Sequence, residues 1–364
     1  MEDKPFWVAF SHLSGIGPIR FAKILGFFGS AQTAWFAPEK DLSNCLGPNL
    51  AQKIVNQRKD IHPPSLYQRI IEQGIKVLTL EEESYPYLLQ NIHHPPFLIY
   101  QRGDFDFRNH DRYVAMVGTR RVSPYGRNVS LKLARELAKE KVIVVSGLAN
   151  GVDGFCHQGI IDEGGITLAV LGSGLNHIYP PNHLQMAQDI VSLGGGLISE
   201  YPPAFPPRRE YFPIRNRIIS GLSQALIVVE APRKSGALIT ANFALEQGRE
   251  VMAVPGPIFS PVSQGSNALI RQGASLVQSG VDVLEGLGFF SQCLSSPKTD
   301  QIGADLNLTS REKILLELVD FSGVTKEELL ERTGWEEGEF YKILLNLELK
   351  GLVQEIAGGG VIRA

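Results

Sequence analysis

Four arginines lie close together near the middle of the chain, within residues 208–217. They are Arg208, Arg209, Arg215 and Arg217, and Asn216 separates the last two. The same stretch holds one carboxylate, Glu210, although the formal net charge of the whole chain is −3. Arginine is favoured where a planar fork grips phosphate or stacks on a base. The cluster therefore predicts an anion site, most simply for phosphate. The alternative is that these arginines lie in solvated loops or pair with nearby carboxylates.

Glycine turns that follow apolar runs supply further candidate residues. Gly118-Thr119-Arg120-Arg121 could bind phosphate through backbone N–H groups, with Arg120 or Arg121 closing over it. Ser146 and the amide of Gly147 could take a phosphate oxygen in the same way. Gly172 and Gly174 follow a third apolar run. Because strands of a parallel sheet end at one edge, these turns are expected around a shared ligand crevice.

A lysine precedes a predicted helix start downstream of the arginines. Lys234, Ser235 and Gly236 should form an anion nest at that helix terminus, with Thr240 on its first turns. Arg215 and Arg217 come just before the preceding apolar run, so we expect two cationic elements to converge at the sheet edge. Tyr179 lies in a proline-rich turn. It is either a stacking platform for a base or a packed loop tyrosine.

The same motifs give little support for catalysis. The turn at Gly118 lacks the Gly-x-Gly-x-x-Gly spacing of a dinucleotide site, and it lacks the Gly-Lys-Ser/Thr of a P-loop. Cys156 and His157 are adjacent within a predicted helix, so their side chains should point apart. Asp153 is expected to cap that helix rather than to act as a base. We predict a binding protein with no cofactor and no metal, since the three cysteines are far apart.

The elements that position these residues are predicted from continuous apolar runs. Such runs, separated by helical patterns over 127–140 and 237–248, are typical of a parallel sheet covered on both faces. The fold class is therefore α/β. The predicted strands are Tyr113–Val117, Val142–Ser146, Thr167–Leu171, Ala225–Val229 and Val251–Val254, with two more at Lys76–Leu80 and Phe97–Tyr100.

Shifts in pattern divide the chain into five segments. We predict a helical region over 1–65, a connector over 66–110, the α/β core over 111–288, a polar linker over 289–307 and a small domain over 308–364. The glycine turn at Leu13–Arg20 could form a helix-hairpin-helix, although the balanced local charge favours an ordinary turn. The last segment, with three helices and a hairpin on Gly358–Gly360, predicts a winged helix.

Charge and composition narrow the function further. Residues 289–364 carry 8 basic and 13 acidic side chains. Glu336, Glu337 and Glu339 fall where a winged helix would meet DNA, which favours a protein contact or a regulatory role there. No signal peptide and no apolar run of membrane-span length is visible, so we expect a cytoplasmic protein without membrane contact. A sequence pI near 6.3 argues against coating of nucleic acid through bulk charge alone.

Taken together, these motifs resemble the DNA-processing protein A family (DprA, also called Smf). The resemblance covers nearly the whole chain and is strongest over 112–288. The family's pattern is present as Val117–Arg120, Ser146–Asp153, Phe212–Arg217, Ser235–Ala241, Gly248–Gly256 and Gly265–Asn267. It implies an extended Rossmann-like core with a parallel-rich sheet, a sterile-alpha-motif-like (SAM-like) N-terminal domain and a C-terminal winged helix.

The resemblance also implies a function and a site. The expected function is to bind single-stranded DNA, protect incoming strands in natural transformation and load the recombinase RecA, with a homodimer as the active form. Asn150 stands where many relatives carry a basic residue, so affinity could be lower here. The predicted DNA-binding residues are Gly118, Thr119, Arg120, Arg121, Ser146, Gly147, Gly172, Gly174, Arg215, Asn216, Arg217, Lys234, Ser235, Gly236 and Thr240.

Two other functions are compatible with parts of the sequence. A phosphoribohydrolase-like enzyme on a related core would need a carboxylate close to the Ser235–Thr240 turn. The next one, Glu246, comes almost two turns after Thr240, which argues against the enzyme. A regulatory scaffold is suggested by the acidic C-terminal segment. Release of base from nucleoside monophosphates would favour the enzyme, and absence of any DNA complex would favour the scaffold.

Overall fold

The structure is a computed structural model that describes residues 3–289, 308–319, 323–356 and 360–363. These residues fall into two compact units. The larger unit contains the N-terminal helices, the connector and the α/β core, and the smaller contains the C-terminal helices and hairpin together with residues 122–129. No helix within the described ranges combines the length and apolar character needed to cross a bilayer.

Short helices form the first part of the larger unit. Three of them begin with proline at the first helical position, where the missing N–H costs nothing. Trp7, Phe10 and Phe21 are buried and pack edge to face in the core of this region. The helices are α1 Lys4–Ser11, α2 Pro18–Phe28, α3 Ala31–Phe36, α4 Glu39–Leu46, α5 Pro48–Gln57 and α6 Pro63–Glu72.

A nine-stranded sheet follows, in the order β1-β2-β6-β5-β4-β3-β7-β8-β9. Strands β3 to β9 pair in parallel, whereas β1 and β2, from the connector, join antiparallel at one side. The strands are β1 Ile75–Thr79, β2 Leu98–Arg102, β3 Tyr113–Val117, β4 Ile143–Ser146, β5 Thr167–Val170, β6 Gly196–Ser199, β7 Ala225–Val228, β8 Glu250–Ala253 and β9 Ser275–Leu276. All seven predicted strands are confirmed, while β6 and β9 were not predicted.

Helices connect the parallel strands, as predicted for an α/β core. They are α8 Pro124–Lys139, α9 Val152–Asp162, α10 Leu184–Ser192, α11 Tyr211–Gly221, α12 Gly236–Glu246 and α13 Gln264–Arg271. Two further helices lie outside these connections: α7 Tyr87–Gln90 comes between the antiparallel β1 and β2, and α14 Gly280–Gly286 follows β9. The prediction that Asp153 caps α9 is wrong. Gly151 occupies the N-cap position with φ 82°, a conformation that favours glycine, and Asp153 lies inside the first turn.

The smaller unit contains a winged helix. Its helices are α15 Ser310–Leu318, α16 Lys326–Thr333 and α17 Glu337–Leu349, and its antiparallel strands are β10 Val324–Thr325, β11 Val353–Ile356 and β12 Gly360–Arg363. Thr325 caps α16 by accepting a hydrogen bond from the Glu328 amide. The predicted linker, apart from residue 289, and most of the predicted turn at Gly358–Gly360 lie outside the described residues.

Candidate functional site

The order of the strands creates a crevice beside β3 and β7. These strands are adjacent, but the chain continues from β3 toward β4 on one side and from β7 toward β8 on the other. Open α/β sheets bind ligands at such a switch point, outside the carboxyl ends of the strands. An open cavity of about 620 Å³ lies there, and we call it the strand-end cavity. Its polar and aromatic lining comprises Gly118, Thr119, Arg120, Asp153, Tyr179, Arg209, Phe212, Arg215, Asn216, Lys234, Ser235, Gly236 and Thr240.

Positive charge dominates this lining. It contains three arginines and one lysine against one carboxylate, Asp153. Arg120, Arg209 and Lys234 are exposed, whereas Arg215 and Asp153 are buried. The cavity lining therefore combines a buried cation, Arg215, with three exposed cationic side chains. That combination favours an anionic ligand.

Arg215 supplies the fixed charge. The residue is 3% exposed. Its Nη1 donates to the carbonyl oxygen of Gly147 at 2.8 Å and also to the carbonyl oxygen of Val170. Burial lowers the pKa of Arg215 to about 10, while Asp153 acts in the opposite direction. Because this value is well above neutral pH, the guanidinium stays charged at the ends of β4 and β5.

Gly147 leaves the space that this arrangement needs. A Cβ atom on Gly147 would lie 2.6 Å from Oδ2 of Asp153 and 2.7 Å from Nη2 of Arg215. Asp153 also accepts a hydrogen bond from the Ala149 amide at 3.4 Å. Burial raises the pKa of Asp153, and the charge of Arg215 opposes that rise. Gly147 is buried and does not line the cavity. Its lack of a side chain leaves room for Asp153 and Arg215, and it does not face the space that a ligand would occupy.

Three other predicted residues also lie beneath the surface. Ser146 is fully buried, and its hydroxyl donates to the carbonyl of Met116 at 2.6 Å. A Cβ on Gly172 would lie 2.8 Å from the ring of Phe212, and the amide of Gly174 donates to the carbonyl of Phe205 at 2.8 Å. These residues were predicted to face a phosphate, and the structure does not place them there. The Ser146 hydroxyl and the Gly174 amide already donate hydrogen bonds within the protein, and the ring of Phe212 covers Gly172.

The Lys234 turn has the predicted geometry. Ser235 is the N-cap of α12, and its side chain accepts a hydrogen bond from the Ala237 amide at 3.2 Å. Lys234 and Gly236 are exposed at the same turn. Thr240 is buried, and its hydroxyl donates to the carbonyl of Gly236 at 3.3 Å. A helix N-terminus with a free lysine side chain beside it is a suitable place for a phosphate.

The turn after β3 forms the facing side of the cavity. The Thr119 amide donates to the carbonyl of Glu230 at 2.7 Å, and this bond ties the turn to the end of β7. Gly118 permits the close approach, since a Cβ there would lie 2.9 Å from the same carbonyl oxygen. Arg120 projects over the ring of Phe212, at 5.4 Å from its centroid. Arg121 is exposed but does not line the cavity.

Arg217 lies elsewhere. Its Nη2 pairs with Glu200 at 2.5 Å, and its Nη1 donates to the carbonyl of His94 at 3.1 Å. The prediction that Arg215 and Arg217 converge with the Lys234 turn is therefore met by Arg215, which lines the cavity together with Lys234, and is wrong for Arg217. Both belong to α11, and residues two apart on a helix differ by about 200° in direction. Asn216, between them, lines the cavity, accepts a hydrogen bond from Nε of Arg215 at 3.2 Å and donates to Gly236 at 3.4 Å.

An aromatic pair also borders the cavity. Tyr179 is 45% exposed, and its ring centroid lies 5.6 Å from that of Phe212. The ring of Tyr179 thus packs against Phe212 and also stays partly exposed, which is compatible with either predicted role. Phe212 is missing from the predicted site, and Arg209 belongs to the predicted arginine cluster but not to the predicted DNA-binding residues. The arginines are visible in the sequence because of their charge, whereas the position of Phe212 depends on where α11 begins.

Catalytic groups are scarce around the cavity. Asp153 is the one carboxylate in its described lining, and Glu246 lies outside it. Cys156 and His157 are buried in α9, and Nδ1 of His157 lies 2.8 Å from the hydroxyl of Thr167. Within the described ranges, no group of three His, Cys, Asp or Glu side chains is placed to hold a metal ion. Asn150 is exposed and accepts a hydrogen bond from Asn182 at 3.3 Å, outside the cavity lining.

The fold and the site define a Rossmann-like protein with a cationic crevice at the switch point of its sheet. The chain belongs to the DNA recombination-mediator protein A family, whose model matches residues 76–288. The DprA winged helix domain matches residues 300–359.

Individual relatives agree with this assignment. The chain is 41% identical over 239 residues to the DNA processing protein DprA of Bacillus subtilis, covering 65% of this chain and 80% of the relative. It resembles the crystal structure of DNA processing protein A from Streptococcus pneumoniae with a TM-score of 0.66 and 33% identity, covering 77% of this chain and 95% of that one. A structure of the Helicobacter pylori protein, which addresses its single-stranded DNA binding mode, has a TM-score of 0.53 and 30% identity, covering 59% and 96% of the two chains.

Proposed function

We propose that the strand-end cavity binds the backbone of single-stranded DNA. The observation that carries the proposal is the placement of Arg120, Arg215 and Lys234 around one cavity, against a single buried carboxylate. Phosphates of a strand would contact Lys234 and the start of α12 on one side and the turn at Arg120 on the other. The relationship to the Helicobacter pylori protein supports the same ligand.

The aromatic pair favours a single strand over a duplex. Bases of a single strand are free to stack on a protein ring, and such stacking tolerates any sequence. Tyr179 is exposed beside Phe212, so a base next to a bound phosphate can reach it. In a duplex the bases are already paired and stacked. We therefore expect a preference for single strands and little dependence on base sequence.

The biological role that we propose is the one implied by the family. The protein would protect incoming single strands during natural transformation and load RecA onto them, acting as a cytoplasmic homodimer. Two linked cavities on one strand would raise the apparent affinity through avidity. We propose that it does so without catalysis, because the cavity offers no nucleophile, base and orienting group in one place within the described residues.

A binding titration over a salt series tests this function. Wild-type protein should bind an oligo-dT strand more tightly than a blunt duplex of matched length, and its affinity should fall steeply with salt. Lys234→Ala should reduce the salt slope by about 0.7, the value for one lost phosphate contact on a single strand. Lys59→Ala, which removes an exposed lysine from the N-terminal helices, is the matched control and should leave the slope unchanged. Equal affinity for the two DNA forms would contradict the proposal.

The enzymatic alternative has its own test. Incubation with nucleoside monophosphates, followed by chromatography for released base, should give no product above the level without protein. Release of base that is abolished by Asp153→Asn would overturn the non-catalytic assignment, because Asp153 is the carboxylate in the described cavity lining.

A further inference from the structure

A second cavity, of about 710 Å³, opens on the other side of α11. It lies within the larger unit, between the turn that leads into α2, the segment around residues 93–97 and the α11 face that carries Arg217. We call it the N-terminal groove. The residues used below are Ile19, Tyr201, Arg208, Tyr211, Ile214 and Arg217, all of which line it.

The groove and the strand-end cavity share a rim. Arg208 and Tyr211 line the groove, whereas their immediate neighbours Arg209 and Phe212 line the strand-end cavity. Sequence neighbours are about 3.8 Å apart at Cα. A ligand that occupies one cavity can therefore continue into the other over residues 208–212.

The chemistry of the groove differs from that of the strand-end cavity. Arg217 is neutralised by Glu200, with which it pairs at 2.5 Å. The rings of Tyr201 and Tyr211 are stacked at 4.2 Å. The guanidinium of Arg208 lies 5.8 Å from the Tyr211 ring centroid and is exposed. The groove thus offers flat aromatic surface with one exposed cation, Arg208, at its rim and one exposed carboxylate, Glu246, elsewhere in its lining.

Two exposed isoleucines add apolar surface from different elements. Ile19, on α2, is 60% exposed, and Ile214, on α11, is 46% exposed. Exposed apolar side chains that converge on one concave surface mark a binding site more often than a solvated face. Nucleobases are flat and largely apolar on their faces, so they fit such a surface without requiring further positive charge.

We propose that the N-terminal groove is a second subsite for the same DNA strand. Nucleotides next to those held in the strand-end cavity cross the rim at residues 208–212, and their bases enter the groove. Arg208 contacts the phosphate at the crossing. This inference rests on the proposed function, because it requires the first part of the strand to occupy the strand-end cavity.

Strand length separates the two subsites in an experiment. An oligo-dT of about 6 nucleotides should fill the strand-end cavity, whereas one of about 16 should reach both subsites. The wild-type protein should bind the longer strand about tenfold more tightly, as expected for the stacking of one or two additional bases. Ile19→Glu and Ile214→Glu should each remove most of that gain and leave the affinity for the short strand unchanged.

Matched controls keep the test decisive. Ile71→Glu changes an exposed isoleucine of α6 outside both cavities and should preserve the gain from length. Circular dichroism melting identifies any variant that fails to fold, and the use of two variants on different helices guards against a local disturbance of α11. If both folded variants keep the full gain, the groove does not hold DNA and serves another ligand, such as a peptide.

The outcomes also distinguish this inference from the proposed function. Lys234→Ala should weaken binding of the short strand. If the short strand binds normally and responds to Lys234→Ala while the groove variants change nothing, the second subsite alone is contradicted. If the wild-type protein fails to bind the short strand, or Lys234→Ala has no effect on it, both proposals are contradicted.

Discussion

The two faces of α11 each carry an arginine, and the groups that bind the two arginines differ. On one face, the carbonyls of Gly147 and Val170 accept hydrogen bonds from Arg215, and the nearby carboxylate of Asp153 acts on its charge without forming an ion pair with it. On the other face, Arg217 pairs with Glu200 and holds the His94 carbonyl. Backbone carbonyls fix an arginine without cancelling its full charge, whereas a carboxylate cancels it. The first face therefore attracts an anion and the second joins the connector to the core.

The largest expected effect comes from removing the fixed charge. Arg215→Ala would leave Asp153 buried without its nearby cation, together with the carbonyls that Arg215 now satisfies. Breaking such a buried arrangement should lower the free energy of unfolding by about 3 kcal/mol. Single-strand affinity should fall at least tenfold in any fraction that stays folded. Urea denaturation and an oligo-dT titration measure the two effects, and Arg121→Ala, at an exposed residue outside the cavity, is the control.

Removing Arg217 should lower the stability of the protein but leave its affinity for single-stranded DNA almost unchanged. Arg217→Ala leaves the half-buried Glu200 unpaired and releases His94, whose φ of 55° is unusual for a residue with a side chain. We expect a loss of about 1–3 kcal/mol in stability, because an unpaired, partly buried charge must be resolvated. Affinity for a short oligo-dT should change less than twofold. A loss of affinity as large as that of Arg215→Ala would contradict the claim that only the Arg215 face of α11 binds the short strand.

A smaller change tests the space around Arg215. Gly147→Ala places a methyl group against Asp153 and Arg215, at distances that require both to move. Overpacking of this kind typically costs about 1–3 kcal/mol. Thermal melting should show the loss. Gly236→Ala, where nothing lies within 4 Å of the added Cβ, is the matched substitution and should melt close to the wild-type temperature.

The smallest effect is expected from the winged helix. Residues 289–364 carry 8 basic and 13 acidic side chains, and Glu337 and Glu339 lie in the first turn of α17. Like charge disfavours contact of this helix with DNA. A chain ending at residue 289 should keep its single-strand affinity within about twofold. If the truncated chain is folded but loses most of its affinity, the winged helix is a DNA-binding module and the argument from charge fails.

Much of the fold could be predicted because burial leaves a clear pattern. Strands β3, β4, β5, β7 and β8 are continuous apolar runs, and the predicted bounds differ from the observed ones by one residue at most. β6 was missed because its apolar part is only Leu197–Ile198 and it begins with Gly196, directly after two other glycines. Nothing in the sequence indicated that the connector strands would extend the sheet antiparallel.

The site was predictable in part, for a different reason. Charged residues and glycine turns are visible, so Arg120, Lys234 and the turn at Gly118 were found. A sequence does not show which polar groups already form hydrogen bonds within the protein. Ser146 and Gly174 were therefore predicted as site residues, although the Ser146 hydroxyl and the Gly174 amide bond to backbone carbonyls. The separation of Arg215 from Arg217 follows once α11 is known to begin at Tyr211, before Pro213. Proline is compatible with the first turn of a helix, so Pro213 allows α11 to begin there.

Photo-crosslinking with an iodouracil-substituted single strand tests the central claim most directly. If DNA lies in the strand-end cavity, crosslinked peptides identified by mass spectrometry should contain Tyr179, which is exposed, or its neighbour Phe212, both of which line the cavity. Excess unlabelled oligo-dT should compete for these crosslinks, and a blunt duplex should compete poorly. Crosslinks confined to the winged helix, with neither Tyr179 nor Phe212 modified, would contradict the account.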